Sequence, residues 1–313
     1  MKLMNVVIGA LALIGCICSA AETGGAGMYT GTVWTEGVSA AGGWYDVDKS
    51  QADTRDDMMC YAASASNLIT WWQNGSYGSH LTSSAPGERD GVWATYLDYS
   101  KNHASGGDPL AAINWWLSGV YAPANEAEAE RSLFNQVANP AMITLNTFGG
   151  FYYDQYGLDK GKLEDFLAFT SDFTGSDFGS LLGNGAGVSL LLHSDTGNLA
   201  HVITLWGVEY TDSGSLAKLW VTDSDDSDAE RYYGELFSID VETGENGKIY
   251  FDEDGETGYY ELMAYQGVSG VHIYGVSSIH PGACSGWQLV PEPSTAALSL
   301  LALAGLVMRR RRG

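Results

Sequence analysis

The sequence predicts a mixed α+β domain in which a cysteine-bearing helix packs on an antiparallel sheet. Three observations predict it. From Cys60 to Trp72 the residues Tyr61, Ala65, Leu68 and Trp72 recur on one face at helical spacing. His201–Tyr210 and Leu216–Asp223 are two apolar strands joined by the turn residues Thr211-Asp212-Ser213-Gly214. The chain has 313 residues at 45% hydrophobic content, enough for one large domain with a substantial core. Its 40 glycines and 7 prolines point to many turns within a folded chain, not to disorder, and no internal repeat is visible.

The cysteine helix carries its own signals. Asp56 or Asp57 can cap the open N–H groups of its first turn. Ala62, Ala63, Ser64 and Ser66 are small enough for a sheet or a second helix to approach closely. A thiol at Cys60 sits at the positive end of the helix dipole, which favours thiolate. The two aspartates oppose this. A thiolate at Cys60 therefore needs a cationic partner from elsewhere in the chain.

Other elements follow in order. Residues 22–55 read as loops and short strands, and residues 75–108 as irregular with a helical piece at Val92–Tyr99. Leu110–Leu117 and Glu126–Val137 read as helices, Met142–Phe148 as a strand, and Asp159–Phe169 as a helix through Leu163, Phe166 and Leu167. Val188–Leu192 is a short apolar run fit for a buried strand. The pairs Trp71-Trp72 and Trp115-Trp116 read as core.

The hairpin supplies a geometric expectation. With a loop of two or three residues near Asp212–Ser213, His201 lies opposite Asp223 or Asp225. Opposed residues share a face, so a carboxylate stands beside the imidazole, raising its pKa and fixing one tautomer. His193 ends its strand and has no paired aspartate by the same count.

Charge and termini bound the partners. With 15 Lys+Arg against 38 Asp+Glu, nucleic acid and anionic membrane surfaces are poor partners for the folded part. Lys2, the apolar run Val6–Cys16 and the small residues Cys18-Ser19-Ala20 form a secretory signal peptide over residues 1–20, with acylation at Cys16 as an alternative. Pro291-Glu292-Pro293-Ser294 leads into an apolar run from Ala296 to Met308 and then Arg309–Arg312. This resembles the PEP-CTERM sorting signal that exosortase enzymes recognise in some Gram-negative bacteria. The resemblance implies an exported protein, at the cell surface, in the matrix or secreted, whose partners include exosortase-type sorting machinery. An ordinary membrane anchor is the alternative, although the run is shorter than the ~20 residues of a comfortable transmembrane helix. The expected plan is a signal peptide at 1–20, one domain at 22–290 and a sorting signal at 291–313. That domain holds Cys60 and Cys284, which an oxidising compartment could join as a disulfide.

A cysteine at a helix start, followed by a histidine and an aspartate on paired strands, is the chain order of a papain-like site. Its chemistry needs each residue type. The thiolate attacks a carbonyl, the imidazolium keeps it ionised and later protonates the departing amine, and the carboxylate orients the ring. The stretches Val33–Val38, Gly43–Val47, Asp56–Cys60 with Ser66-Asn67-Leu68 and Trp71-Trp72, His201–Gly207 and Val221–Asp225 together resemble the IdeS/Mac cysteine endopeptidases. That family degrades immunoglobulin G and has a papain-like fold. The resemblance implies Cys60 as nucleophile, His201 as base, Asp223 as the residue orienting it, Asp225 as a second aspartate near the site, and Lys49 with the Cys60 N–H as the oxyanion hole. Lys49 lies one residue farther from the cysteine than in the family pattern. The partner implied is a protein or peptide substrate, with no cofactor and no metal. A calcium loop at Asp223–Asp228 lacks the glycine and distal glutamate of an EF-hand, and Asp252–Glu256 reads as a solvated turn. A binding protein on the same fold, or an acyltransferase with the same residues, are the competing functions. The matching stretches leave out the middle of the chain, so the substrate stays open.

Overall fold

The computed structural model describes residues 29–49, 56–79, 81, 83–99, 107–118, 149–152, 167–196, 199–225, 235–252 and 268–280. The signal peptide, the sorting signal, Cys284, the helix expected at Glu126–Val137 and the strand expected at Met142–Phe148 lie outside these residues. The described helices are α1 (Cys60–Asn74), α2 (Arg89–Tyr99), α3 (Pro109–Ser118) and α4 (Gly175–Gly183). The strands are β1 (Gly31–Trp34), β2 (Leu167–Thr170), β3 (Gly187–Ser194), β4 (Ala200–Tyr210), β5 (Leu216–Thr222), β6 (Phe237–Thr243), β7 (Ile249–Phe251) and β8 (Val271–Ile279). No helix among the described residues is long and apolar enough to cross a membrane. The expected class holds: helices from the N-terminal part pack on one antiparallel sheet.

Helix α1 departs from the one-faced helix expected from its spacing, because every residue from Tyr61 to Gln73 is buried. It runs between two layers. On one side Ser64 and Asn67 meet the sheet, and Leu68 and Trp71 close on Gly187. On the other, Trp72 packs edge-on to Tyr152, and Gln73 accepts a 2.9 Å bond from the Trp116 indole. Trp71, Trp72, Trp115 and Trp116 are all core, as expected. Hydroxyls are tolerated inside this helix because they bond their own preceding turn: Ser66 to the Ala62 carbonyl and Thr70 to the Ser66 carbonyl. The expected aspartate cap is not formed. Met59 is the N-cap, without a side-chain bond. Asp56 contributes its main-chain carbonyl to the Met59 N–H instead, closing a tight turn into the helix.

The sheet has strand order β1-β4-β3-β8-β7-β6-β5, with β2 on β8. Because β4 also pairs with β5, the strands β4, β3, β8, β7, β6 and β5 close into a ring. Leu190, Leu205, Leu219, Ile239, Ile249 and Ile273 belong to the cluster that fills it, and Phe178 and Leu182 of α4 join the same cluster. Strand β4 is long enough to carry β3 on the first half of one edge and β1 on the second half. It thereby links the ring to the layer beneath α1.

One expectation fails for an identifiable reason. The end of the helix expected at Asp159–Phe169 is instead β2, where Leu167–Thr170 pair with Val276–Ile279. The free edge of β8 supplies hydrogen bonds that a short apolar period cannot outweigh. Strands β6 to β8 and helix α4 were not anticipated, although Phe237–Val241 alternates and Thr174…Asp177 forms a capping box.

The close approach of α1 depends on Gly187, where a Cβ would stand 2.8 Å from Trp71 Cζ3 and 3.0 Å from Leu68 Cδ2. Gly187→Ala is therefore expected to destabilise the fold by about 1–3 kcal/mol. Denaturant unfolding checks this, and a midpoint equal to wild type would show that α1 has room to retreat.

Candidate active site

The site forms where the start of α1 meets the start of β4 and the end of β5. Cys60 opens α1 as a half-buried free thiol. The N–H groups of a helix's first turn have no acceptor within the helix, so they face outward as donors. His201 is the second residue of β4 and is 3% exposed. Asp223 follows the last residue of β5 and is fully buried.

The imidazole is held from both sides. Its Nε2 donates to Asp223 Oδ1 at 2.7 Å. Cys60 is near enough to act on the ring's charge, after Asp223. With Nε2 engaged by the carboxylate, Nδ1 is the remaining ring nitrogen, and it lies 3.7 Å from Asp225 Oδ2. Asp223 Oδ1 accepts a second bond, from the Asp225 N–H at 3.0 Å. That bond orients the carboxylate from its own turn.

The hairpin delivers Asp223 differently from simple opposition. Thr204 pairs with Thr222 and Leu205 with Val221, while Trp206 bulges out of the ladder. Extending that register would set Asp225 across from His201. Pairing ends at Thr222, however, and the chain turns so that Asp223 reaches the ring. The connecting turn is also wider than expected, with Tyr210 paired to Leu216 around it.

Lys49 belongs to the same cluster. Its Nζ lies 2.5 Å from Asp225 Oδ1 and donates to the Asp57 carbonyl at 3.0 Å. Its backbone N–H bonds the Ser224 carbonyl, which ties the 45–49 segment to the turn carrying the aspartates. The structure thus brings together every residue expected at the site: Cys60, His201, Asp223, Asp225 and Lys49. His193 lies apart, its ring tilted against Tyr274. His201, Asp223 and Asp225 also offer ligand atoms within 4.8 Å of one another. The short His201–Asp223 contact and the Lys49 ammonium already satisfy those atoms, which suits proton transfer better than ion binding.

Charge explains the raised pKa of the ring. Burial alone would push the His201 pKa down, but the Asp223 carboxylate and then Cys60 lift it well above the ordinary histidine value. Burial acts the same way on Lys49 and is likewise overcome, chiefly by Asp225, so its ammonium is held raised.

Sequence reasoning missed two features here. Asp46 is 1% exposed, its carbonyl accepts from Arg89 Nη1, and burial followed by Asp48 and Asp223 raises its pKa well above the usual carboxylate range against the pull of Arg89. Its place in the stretch Gly43–Val47 was the available signal. The second is a buried polar chain beneath the site. Asn67 Nδ2 donates to Thr204 Oγ1 at 3.1 Å, Thr204 to Ser64 Oγ at 2.9 Å, and Ser64 faces Ser189 Oγ at 2.7 Å. Polar residues on an apolar helix and strand were the only trace of it in the sequence.

A mixed α+β domain that sets a helix-start cysteine beside a buried histidine–aspartate pair has the parts of a thiol-based acyl-transfer site. Comparison with known proteins agrees in kind. The Mac 1 family model matches residues 16–84 and 137–253, more than half of the chain, and the chain belongs to that family. It is 26% identical over 219 residues to the IgM protease of Streptococcus suis (strain P1/7). The alignment covers 62% of this chain and 18% of that much longer protein. Residues 85–136 fall in the gap of the family match, which includes α2 and α3.

The raised His201 value has a signed consequence. The stabilisation from its charge pairing is fully present below about pH 6.5 and is lost as pH rises through the folded-state value. NMR titration of the imidazole is expected to find it charged well above the ordinary range in wild type. In Asp223→Ala it should titrate much lower, since burial then dominates. A wild-type ring neutral at pH ~6.5 would refute the pairing.

Proposed function

We propose that this protein is an exported cysteine endopeptidase with a papain-like fold that hydrolyses peptide bonds of protein substrates. The observation that carries the reading is the 2.7 Å contact of His201 Nε2 with Asp223, which leaves the other ring nitrogen to Cys60. Membership of the Mac 1 family and homology to a protease support it.

In this mechanism the Cys60 thiolate attacks the scissile carbonyl carbon and the carbonyl π electrons move to oxygen. The oxyanion is met by the Cys60 N–H and by Lys49. Support for Lys49 comes from its 3.0 Å bond to the Asp57 carbonyl, which holds the ammonium beside the segment leading into Cys60. Protonated His201 gives its Nδ1 proton to the departing amine as the C–N bond breaks, leaving a thioester. Water then attacks the thioester, passing a proton to His201, and the acid product leaves as the thiolate returns. Asp223 keeps the ring in the required tautomer, and Asp225 supports it while holding Lys49.

Export rests on the two terminal segments, the second of which would hand the chain to exosortase-type machinery. Incubating the protein with diverse native proteins, immunoglobulin M among them, beside Cys60→Ala tests the activity. New termini seen by mass spectrometry only with wild type support the reading, and identical termini in both sink it.

On any cleavable substrate, Asp223→Ala should lose about two to four orders of magnitude in turnover, or ~3–5 kcal/mol of transition-state stabilisation. Asp225→Ala should lose about 10–100-fold, the scale of a supporting partner. The reverse order, with both variants folded, would assign the orienting role to Asp225.

A further inference from the structure

The strands and helix that carry the proposed site meet again one residue below it, at a single hydroxyl. Thr222 is 1% exposed and directly precedes Asp223. Its Oγ1 donates to the Tyr45 carbonyl at 3.0 Å. It accepts from the Trp206 indole Nε1 at 2.9 Å and stands 3.5 Å from Asn67 Nδ2. A hydroxyl has one proton and two lone pairs, so these contacts use its full capacity.

Each partner comes from a different segment of the site. Asn67 lies on α1, two turns after Cys60. Trp206 is on β4, the strand that carries His201 as its second residue. Tyr45 opens the segment that ends at Lys49. Thr222 itself ends β5 and leads into Asp223.

The geometry assigns to Thr222 the role of a positioning residue, one that sets the mutual register of Cys60, His201 and Asp223 without touching substrate. Trp206 is the bulged residue of β4, and the bulge turns its indole onto Thr222. The bulge therefore serves the same junction that brings Asp223 to the ring. This inference rests on the cysteine-peptidase reading, and its test keeps the two apart.

The probe is iodoacetamide, which needs no knowledge of the substrate. Alkylation of Cys60 in the full chain is followed by peptide mass spectrometry at about pH 6, where an unpaired thiol is nearly all protonated. Thr222→Val keeps the shape and removes the hydroxyl. It is expected to slow alkylation about 10-fold at that pH, the low end for losing a supporting hydrogen bond. Little change is expected at about pH 9, where an unpaired thiol ionises by itself. Thr222→Ser should restore the wild-type pH profile. If Thr222→Val does not fold, Asn67→Leu cuts the link to α1 together with the Asn67–Thr204 bond, keeps the Tyr45 and Trp206 bonds of Thr222, and should give a smaller change in the same direction.

A folded Thr222→Val with a lower unfolding midpoint but an unchanged pH profile would make Thr222 merely structural and overturn the inference. His201→Ala separates the two readings. If it leaves the wild-type profile unchanged, the Cys60–His201 pairing itself fails, whatever Thr222 does.

Discussion

The contact between His201 and Asp223 is the constraint around which the rest of the structure is arranged. Both side chains are almost wholly out of solvent and meet at 2.7 Å. Burying such a pair is costly unless the remaining hydrogen-bonding capacity is filled. Here part of it is filled locally, by the Asp225 N–H on the carboxylate. Cys60 adds to the charge that raises the ring's pKa.

That coupling requires three remote parts of the chain to keep one register. Helix α1 is buried from Tyr61 to Gln73, and Gly187 lets it approach the sheet. Closure of the strands into a ring fixes β4 relative to β5, so the histidine and aspartate cannot slide apart by strand slippage. The polar chain through Ser64, Asn67, Thr204 and Thr222 adds directional bonds where apolar packing alone would allow several settings. Apolar burial thus supplies the stability, and a small buried polar set supplies the alignment.

Electrostatics around the site is layered. The chain carries a formal net charge of −23, yet Lys49 sits at the site bonded to Asp225, only 3.7 Å from the ring. The lysine offsets the second aspartate beside a histidine that already has one. Burial, then Asp48 and Asp223, raise the Asp46 pKa well above the usual carboxylate range against the pull of Arg89, so further negative charge is opposed there. An acidic protein thereby places a lysine and a histidine of raised pKa beside the aspartates of this site.

The sequence by itself determined the chemistry-bearing residues and most of the local elements near them. Cys60 at a helix start, the two strands flanking Thr211–Gly214, and the dense pattern around Trp71 and Trp115 are all local signals, set by period, turn residues and apolar runs. Only the tertiary structure decided which aspartate reaches the ring, because that depends on where pairing stops and on the bulge at Trp206. It likewise decided that α1 would be buried on all sides, since a helix flanked by two layers needs no polar face of its own. The closed ring was equally hidden, because β6 to β8 return to β5 and β3 from far along the chain. The same holds for Thr222, an ordinary strand threonine until three segments distant in sequence converge on its hydroxyl.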